Sequence, residues 1–249
     1  MIPPDSVDLT AYDAWLFDLD GVVTDTARVH AAAWKAAFDP FLAEEADRTG
    51  VPQAPFDPVD EYLRFVDGRP RADGVRTFLG SRGIQLEEGR PGDPPSARTV
   101  AGIADGKNEL VHGVLDADGV DVYANTVTLI EVLRSHEVLT AVVSASENTV
   151  AVLAAAGLTD LFDVRVDGLV ARELHLAGKP APDTYREAAR LLGVPPARAV
   201  VVEDALVGVE AGRSGGFGMV VGVDRHGLSA ALIAHGADVV VADLAEFLP

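Results

Sequence analysis

The stretch Phe17-Asp18-Leu19-Asp20-Gly21-Val22-Val23-Thr24-Asp25-Thr26, FDLDGVVTDT, follows a short apolar run, Ala14 to Phe17. Such a run, lacking the alternation of a half-exposed strand, reads as a strand buried on both faces of a parallel sheet. In open α/β sheets ligands bind beyond the carboxyl ends of the strands. D-x-D-G therefore sets two carboxylates, Asp18 and Asp20, where a ligand would sit. Neighbouring carboxylates out of water are costly unless a cation or a shared proton relieves them. A hard divalent ion such as Mg²⁺, which prefers oxygen ligands, would do so.

Further runs of the same kind come late in the chain: Val138 to Val143, Phe162 to Val166, Ala199 to Val202, Met219 to Val223 and Ala237 to Val241. Helical patterns separate them at 125–136, 147–156, 183–192, 205–213 and 228–235. This alternation predicts a doubly wound, Rossmann-like α/β fold with a parallel sheet. Residues 27–117 break the rhythm, with helical patterns at 28–38, 58–66, 73–82 and 98–115 and no convincing strand. Loops rich in Pro, Gly and acidic residues interrupt them at 50–58 and 87–95. The expected organisation is a core of residues 1–26 and 118–249 with an inserted all-helical cap, 27–117. The crossings near Thr24–Arg28 and Leu115–Asp121 are the candidate hinges. The glycine-rich string Gly212 to Gly218 follows a helix and precedes a strand, the reverse of a dinucleotide fingerprint, and reads as a helix stop and turn.

Composition narrows the function. The 249 residues include no cysteine, which excludes disulfides, thiolate metal sites and a cysteine nucleophile. With 39 acidic and 20 basic residues the formal charge is −19, which argues against binding to nucleic acid or to an anionic membrane. The opening residues lack a basic segment followed by an apolar one, and no apolar run approaches a membrane span. A cytoplasmic monomer is expected. Residues 27–117 carry 15 acidic and 11 basic side chains, so the insertion is much the less acidic part and the place to seek groups for an anionic substrate.

Three more strand ends or helix starts carry polar groups: Ser144-Ala145-Ser146, Gly178-Lys179-Pro180 and Glu203-Asp204. With Asp18 and Asp20 they provide a nucleophile, an acid/base, a hydroxyl, a lysine and an acidic pair, the parts that phosphoryl transfer requires. These four motifs, in this order, resemble those of the haloacid dehalogenase superfamily of aspartate-nucleophile phosphotransferases. DLDGVVTDTA with His30 and Trp34, SASEN at 144–148, GKPAPD at 178–183 and VEDALVGVEA at 202–211 are most similar to the β-phosphoglucomutase family.

The resemblance implies Asp18 as the nucleophile that becomes an aspartyl-phosphate and Asp20 as the general acid/base. It implies Ser144 and Lys179 on the transferring phosphoryl group, and a Mg²⁺ site made by Asp18, Asp20, Glu203 and Asp204. Substrate contacts are implied for His30, Arg71, Lys107, Ala145, Ser146 and Asn148. The chain has 17 arginines and three lysines, Lys35, Lys107 and Lys179. Two of the three lie in these motifs, where a compact ammonium rather than a planar fork would be wanted.

Three departures stand out. Glu147 occupies a position where the family commonly has lysine, and a carboxylate there would repel a second phosphate. Tyr123-Ala124-Asn125 stands where the family has Tyr-Pro-Gly. The insertion is also longer than usual, near 44–58 and 86–98. Each residue has a plainer reading. Ser144, Ser146 and Asn148 suit turns and helix caps, Glu203-Asp204 could cap the next helix, Arg71 and Lys107 could be solvated, and His30 and Trp34 could simply pack together. Three classes follow: a sugar phosphomutase, a sugar-phosphate phosphatase using water as acceptor, and a non-enzymatic phospho-receiver. Asp20 and the cap count against the receiver, which needs neither. Arg71, Lys107, His30 and Asn148 favour the mutase, and Glu147 with the altered cap favours the phosphatase.

Overall fold

A computed structural model describes residues 3–118 and 120–248. The chain divides into two compact units, Met1–Asp25 with Val120–Pro249, and Thr26–Gly119. The expected crossing at Leu115–Asp121 lies in part outside the described residues.

The first unit is a six-stranded parallel sheet: β1 (Ala14–Phe17), β2 (Leu139–Val143), β3 (Val164–Val166), β4 (Ala199–Glu203), β5 (Met219–Val223) and β6 (Val239–Val241), in the order β3-β2-β1-β4-β5-β6. β1 is central. Phe17 stands opposite Val142 of β2 on one side and Val202 of β4 on the other. Strand order reverses at β1, which opens a crevice at the carboxyl ends of β1, β2 and β4. All four residues of β1 are fully buried, as a central strand covered on both faces requires. Ala14 and Leu16 pack into one layer with Tyr185, Ala188 and Ala211. Trp15 faces the other way, against Phe247.

The second unit contains α1 (Ala27–Thr49), α2 (Arg71–Ser81) and α3 (Val100–Asp118), with one π-turn at Tyr62–Val66 where a helix over 58–66 is expected. Its core is aromatic: Trp34 stacks on Phe38, and Phe38 meets Phe56 and Phe78. α1 corrects the sequence expectation, which ends it at 38. Pro40 lies inside the helix, which runs on to Gly50 in the left-handed region. The lost backbone bond is outweighed because Phe41 and Leu42 beyond the proline join the same apolar core.

The remaining helices belong to the sheet unit: α4 (Ala124–Ser135), α5 (Thr149–Ala155), α6 (Gly168–Glu173), α7 (Asp183–Leu192), α8 (Leu206–Gly215) and α9 (Ser229–His235). The sequence does not announce α6. The glycine string after α8 is a helix stop, with Gly216 at φ 75°. No helix among the described residues is long and apolar enough to cross a membrane.

Candidate active site

Three adjacent strand ends set the centre. Asp18 follows β1, and its N–H donates to Val202 O at 2.9 Å, so the ladder to β4 holds it in place. Ser144 follows β2, with its N–H on Val166 O at 3.0 Å. Glu203 closes β4 and Asp204 follows it. Lys179 comes from the loop ahead of α7. Its ammonium donates to Asp18 Oδ1 and, at 2.5 Å, to Glu203 Oε1. Asp18, Ser144, Lys179 and Glu203 are all buried.

Burial works against the Lys179 ammonium, but Asp18 and Glu203 more than offset it, and its pKa lies above the ordinary lysine value. Burial pushes Asp18 well above the usual carboxylate range. Lys179 pulls it down, while Glu203 and Asp20 push it further up. Carboxylate oxygens of Asp18, Glu203 and Asp204 lie within 4.8 Å of one another. Three such groups, with Asp20 close enough to act on Asp18, exceed what one ammonium can balance. A hard cation held by oxygens fits this donor set.

The D-x-D-G turn is shaped around the acidic pair. Gly21 has φ 84°, its N–H donates to Thr24 O at 2.8 Å, and a Cβ there would fall 1.8 Å from Asp204 Oδ2. Only glycine serves both the backbone and the space.

The serine loop after β2 is self-bonded. Ser144 Oγ accepts from Ser146 N–H at 3.0 Å, and Ser146 Oγ accepts from Asn148 N–H at 3.1 Å. Ser144 is thus a turn residue as well as a hydroxyl beside the site. Asn148 holds the N-cap position of α5, yet its side chain makes no cap bond. Glu147 accepts from Arg172 of α6 at 2.5 Å. Ala145 is half-buried between the two serines.

The helical unit brings its own predicted residues together. Lys107 is buried, 2.6 Å from His30 Nδ1 and 5.1 Å from the centre of the Trp34 ring. An ammonium only donates, so Nδ1 is the accepting ring nitrogen in this contact. Arg71 reaches Asp105 and Asn108, each at 3.4 Å. The solvated readings of Lys107 and Arg71 are therefore incorrect: the first is enclosed and the second is engaged by α3.

Two participants escape the sequence reading. Tyr185 OH donates to Glu203 Oε1 at 2.8 Å, and its ring lies 5.1 Å from Lys179 Nζ. Along α7 it reads as one more apolar position. The available signal is its hydroxyl, which needs a partner when buried. Arg225 donates to Gly21 O at 2.9 Å and stacks 3.7 Å over the Tyr123 ring. No spacing in the sequence marks it.

The sequence matches the family model for haloacid dehalogenase-like hydrolases over residues 12–216. It is 52% identical over 238 residues to a β-phosphoglucomutase of Mycobacterium bovis, covering 94% of this chain and 91% of that protein. The crystal structure of a β-phosphoglucomutase from Clostridium difficile superposes with a TM-score of 0.70 at 25% identity, over 96% of this chain and 93% of that one. CbbY from Rhodobacter sphaeroides, crystallised with xylulose-1,5-bisphosphate, gives 0.69 at 26% identity, over 94% and 96%. With Asp18 and Ser144 at adjoining strand ends and Lys179 bonded to Asp18 from the loop ahead of α7, these likenesses make the chain an enzyme of the haloacid dehalogenase superfamily, a β-phosphoglucomutase-like member of it.

Proposed function

We propose that this enzyme transfers a phosphoryl group on a sugar phosphate through an aspartyl-phosphate at Asp18, converting β-glucose 1-phosphate to glucose 6-phosphate. The observation that carries this reading is the buried Asp18–Lys179–Glu203 group at the topological switch point, with Asp20 two residues on. Asp18 attacks phosphorus, and the departing sugar oxygen takes a proton from Asp20. Lys179 fixes the Asp18 carboxylate in position and offers its charge to the phosphoryl oxygens, with the Ser144 hydroxyl beside it. Asp18, Asp20, Glu203 and Asp204 would hold Mg²⁺, which supplies charge neutralisation for the phosphoryl oxygens when bound. Glu203 contributes chiefly by holding others, because its two oxygens already accept from Lys179, Tyr185 and the Ala205 N–H. In the second half of the reaction Asp20 removes a proton from the accepting hydroxyl. His30, Arg71, Lys107, Ala145, Ser146 and Asn148 are assigned to the sugar and its second phosphate. The enzyme is placed in the cytoplasm, as a monomer.

The competing outcome, water as acceptor, is favoured by Glu147 in the serine loop, whose charge opposes a second phosphate. Its pairing with Arg172 weakens that objection. Incubation with β-glucose 1-phosphate, Mg²⁺ and catalytic glucose 1,6-bisphosphate, following glucose 6-phosphate and inorganic phosphate together, tests the assignment. Glucose 6-phosphate as the main product supports the mutase. Release of phosphate alone makes the enzyme a phosphatase. Undiminished turnover in excess chelator, with metal content checked, refutes the Mg²⁺ assignment.

A further inference from the structure

α6 is a short helix with no fully buried side chain, yet it is fastened to the serine loop at several points. Gly168 N–H donates to Ser146 O at 2.9 Å. A Cβ on Gly168 would come within 2.7 Å of Ala145 O and 3.0 Å of Glu147 N, so the helix start lies directly on the loop backbone. Asp167, fully buried, accepts from Leu169 and Val170 N–H at 3.0 Å each and pairs with Arg165 at 2.8 Å. From this platform Arg172 reaches Glu147 at 2.5 Å. The Arg172 side chain is 65% exposed and that of Glu147 24%, so the arginine lies over the more covered carboxylate.

We propose that Arg172 is a positioning residue that determines whether the serine loop accepts a second phosphate. By pairing with Glu147 it cancels the one full negative charge carried by residues 144–148 and keeps that carboxylate turned toward α6. Ser146 and Asn148, either side of Glu147, can then face an anionic group without a carboxylate between them. The second phosphate is the one the reading above already assigns to this loop, and what Arg172 sets is how well the loop holds it. The inference rests on the phosphotransferase reading above and adds to it a residue from an element that none of the motifs contains.

The test is calorimetric binding of two probes in the presence of Mg²⁺: a non-transferable hexose 1,6-bisphosphonate and inorganic phosphate. The ratio of their dissociation constants isolates the second anionic group. In Arg172→Gln the ratio shifts against the bisphosphonate by about fivefold, the scale of a partly solvated ion pair, while inorganic phosphate binds as before and the unfolding temperature stays close to wild type. Arg172→Lys recovers most of the loss. In Glu147→Gln/Arg172→Gln, which removes both charges, the ratio returns to within about twofold of wild type, because no carboxylate is left uncovered. An unchanged ratio in Arg172→Gln overturns the proposal, as does a double variant no better than the single one. A wild type that holds the bisphosphonate no more tightly than phosphate overturns it too. Failure of the mutase reading shows elsewhere, as absence of glucose 6-phosphate in the product assay.

Discussion

The two units each enclose a lysine, and they hold it by different chemistry. Lys179 of the sheet unit lies between two buried carboxylates, Asp18 and Glu203, with a tyrosine ring beside it. Lys107 of the helical unit stands against an imidazole and an indole ring. The first is fixed by strand ends: Asp18 and Glu203 extend neighbouring strands, so the sheet itself sets the distance between the two anions. The second is fixed by helix faces, His30 and Trp34 being one turn apart on α1 and Lys107 on α3. A charge facing full opposite charges cannot leave without exposing them, whereas the ring nitrogen and π face beside Lys107 are not themselves anions. The contrast is between a lysine that strand register fixes among anions and one that helix faces fix among rings.

The largest expected effect lies on the side of the fixed charges. Asp18→Asn removes the nucleophile and one of the two anions on Lys179, and turnover should fall by more than about 10⁴-fold with the circular dichroism spectrum unchanged. Asp20→Asn removes only proton transfer and should cost about 10²–10⁴-fold. It should also leave a phosphorylated enzyme trappable by rapid quench. Wild-type turnover in the Asp18 variant would show the nucleophile to be misassigned.

The lysines themselves give the sharpest comparison. Lys179→Met leaves two buried carboxylates without their cation, and denaturant unfolding should show a loss of about 3–5 kcal/mol. Lys107→Met keeps an unbranched chain on the Trp34 face and should lose less, the cation–π contact itself being worth about 1 kcal/mol. Its main effect should be a raised KM. Equal destabilisation by the two substitutions would break the distinction.

A smaller effect is expected at high pH. Burial pushes Tyr123 up to about 12, with Arg225 pulling it down and Asp25 pushing it up. Burial, with Glu203 next, pushes Tyr185 well above the ordinary range. A phenol whose folded pKa exceeds its unfolded value of about 10 contributes stability that is full below that value and is lost as pH rises through the folded one. Spectrophotometric titration should therefore find Tyr123 still neutral at about pH 11 in the folded protein. Its phenolate should appear together with loss of ellipticity. Ionisation of all four tyrosines near pH 10 in folded protein would contradict the burial of both.

The sheet unit was far more legible in sequence than the helical one, for a physical reason. A strand buried on both faces must be an unbroken apolar run, so β1 and β5 are found residue for residue. The side chain just beyond such a run must sit at the sheet's edge, which places Asp18, Ser144 and Glu203. Helices lack so strict a rule. α1 carries a proline that its apolar partners override, and only the burial of Phe41 and Leu42 beyond it reveals the continuation. α6 stayed hidden because it buries no side chain completely and so leaves little apolar periodicity. With it went Arg172, whose bond to Glu147 lies between positions 25 residues apart. Tyr185 carries no signal of its own in the sequence, since a phenol and a phenyl ring look alike in a hydropathy pattern.

The central position of β1 also bears on how the chain assembles. Ala14 pairs with Leu139 and with Ala199, so the middle strand, made first by the ribosome, waits for both neighbours until the helical unit has been synthesised. Closing so long a loop would be slow if it were loose. The two chain crossings meet instead: Asp25 N–H donates to Asp121 O at 2.9 Å, Tyr123 N–H to Val23 O at 3.0 Å, and Thr24 bridges Val122 in antiparallel fashion. Once folded, the helical unit behaves as a hairpin connection of a few residues, and the entropy of joining β1 to the rest of its sheet no longer depends on the length of the insert. Extra turns on α1 and a longer loop at 87–95 can then be accommodated without slowing the pairing of the strands that carry Asp18, Ser144 and Glu203.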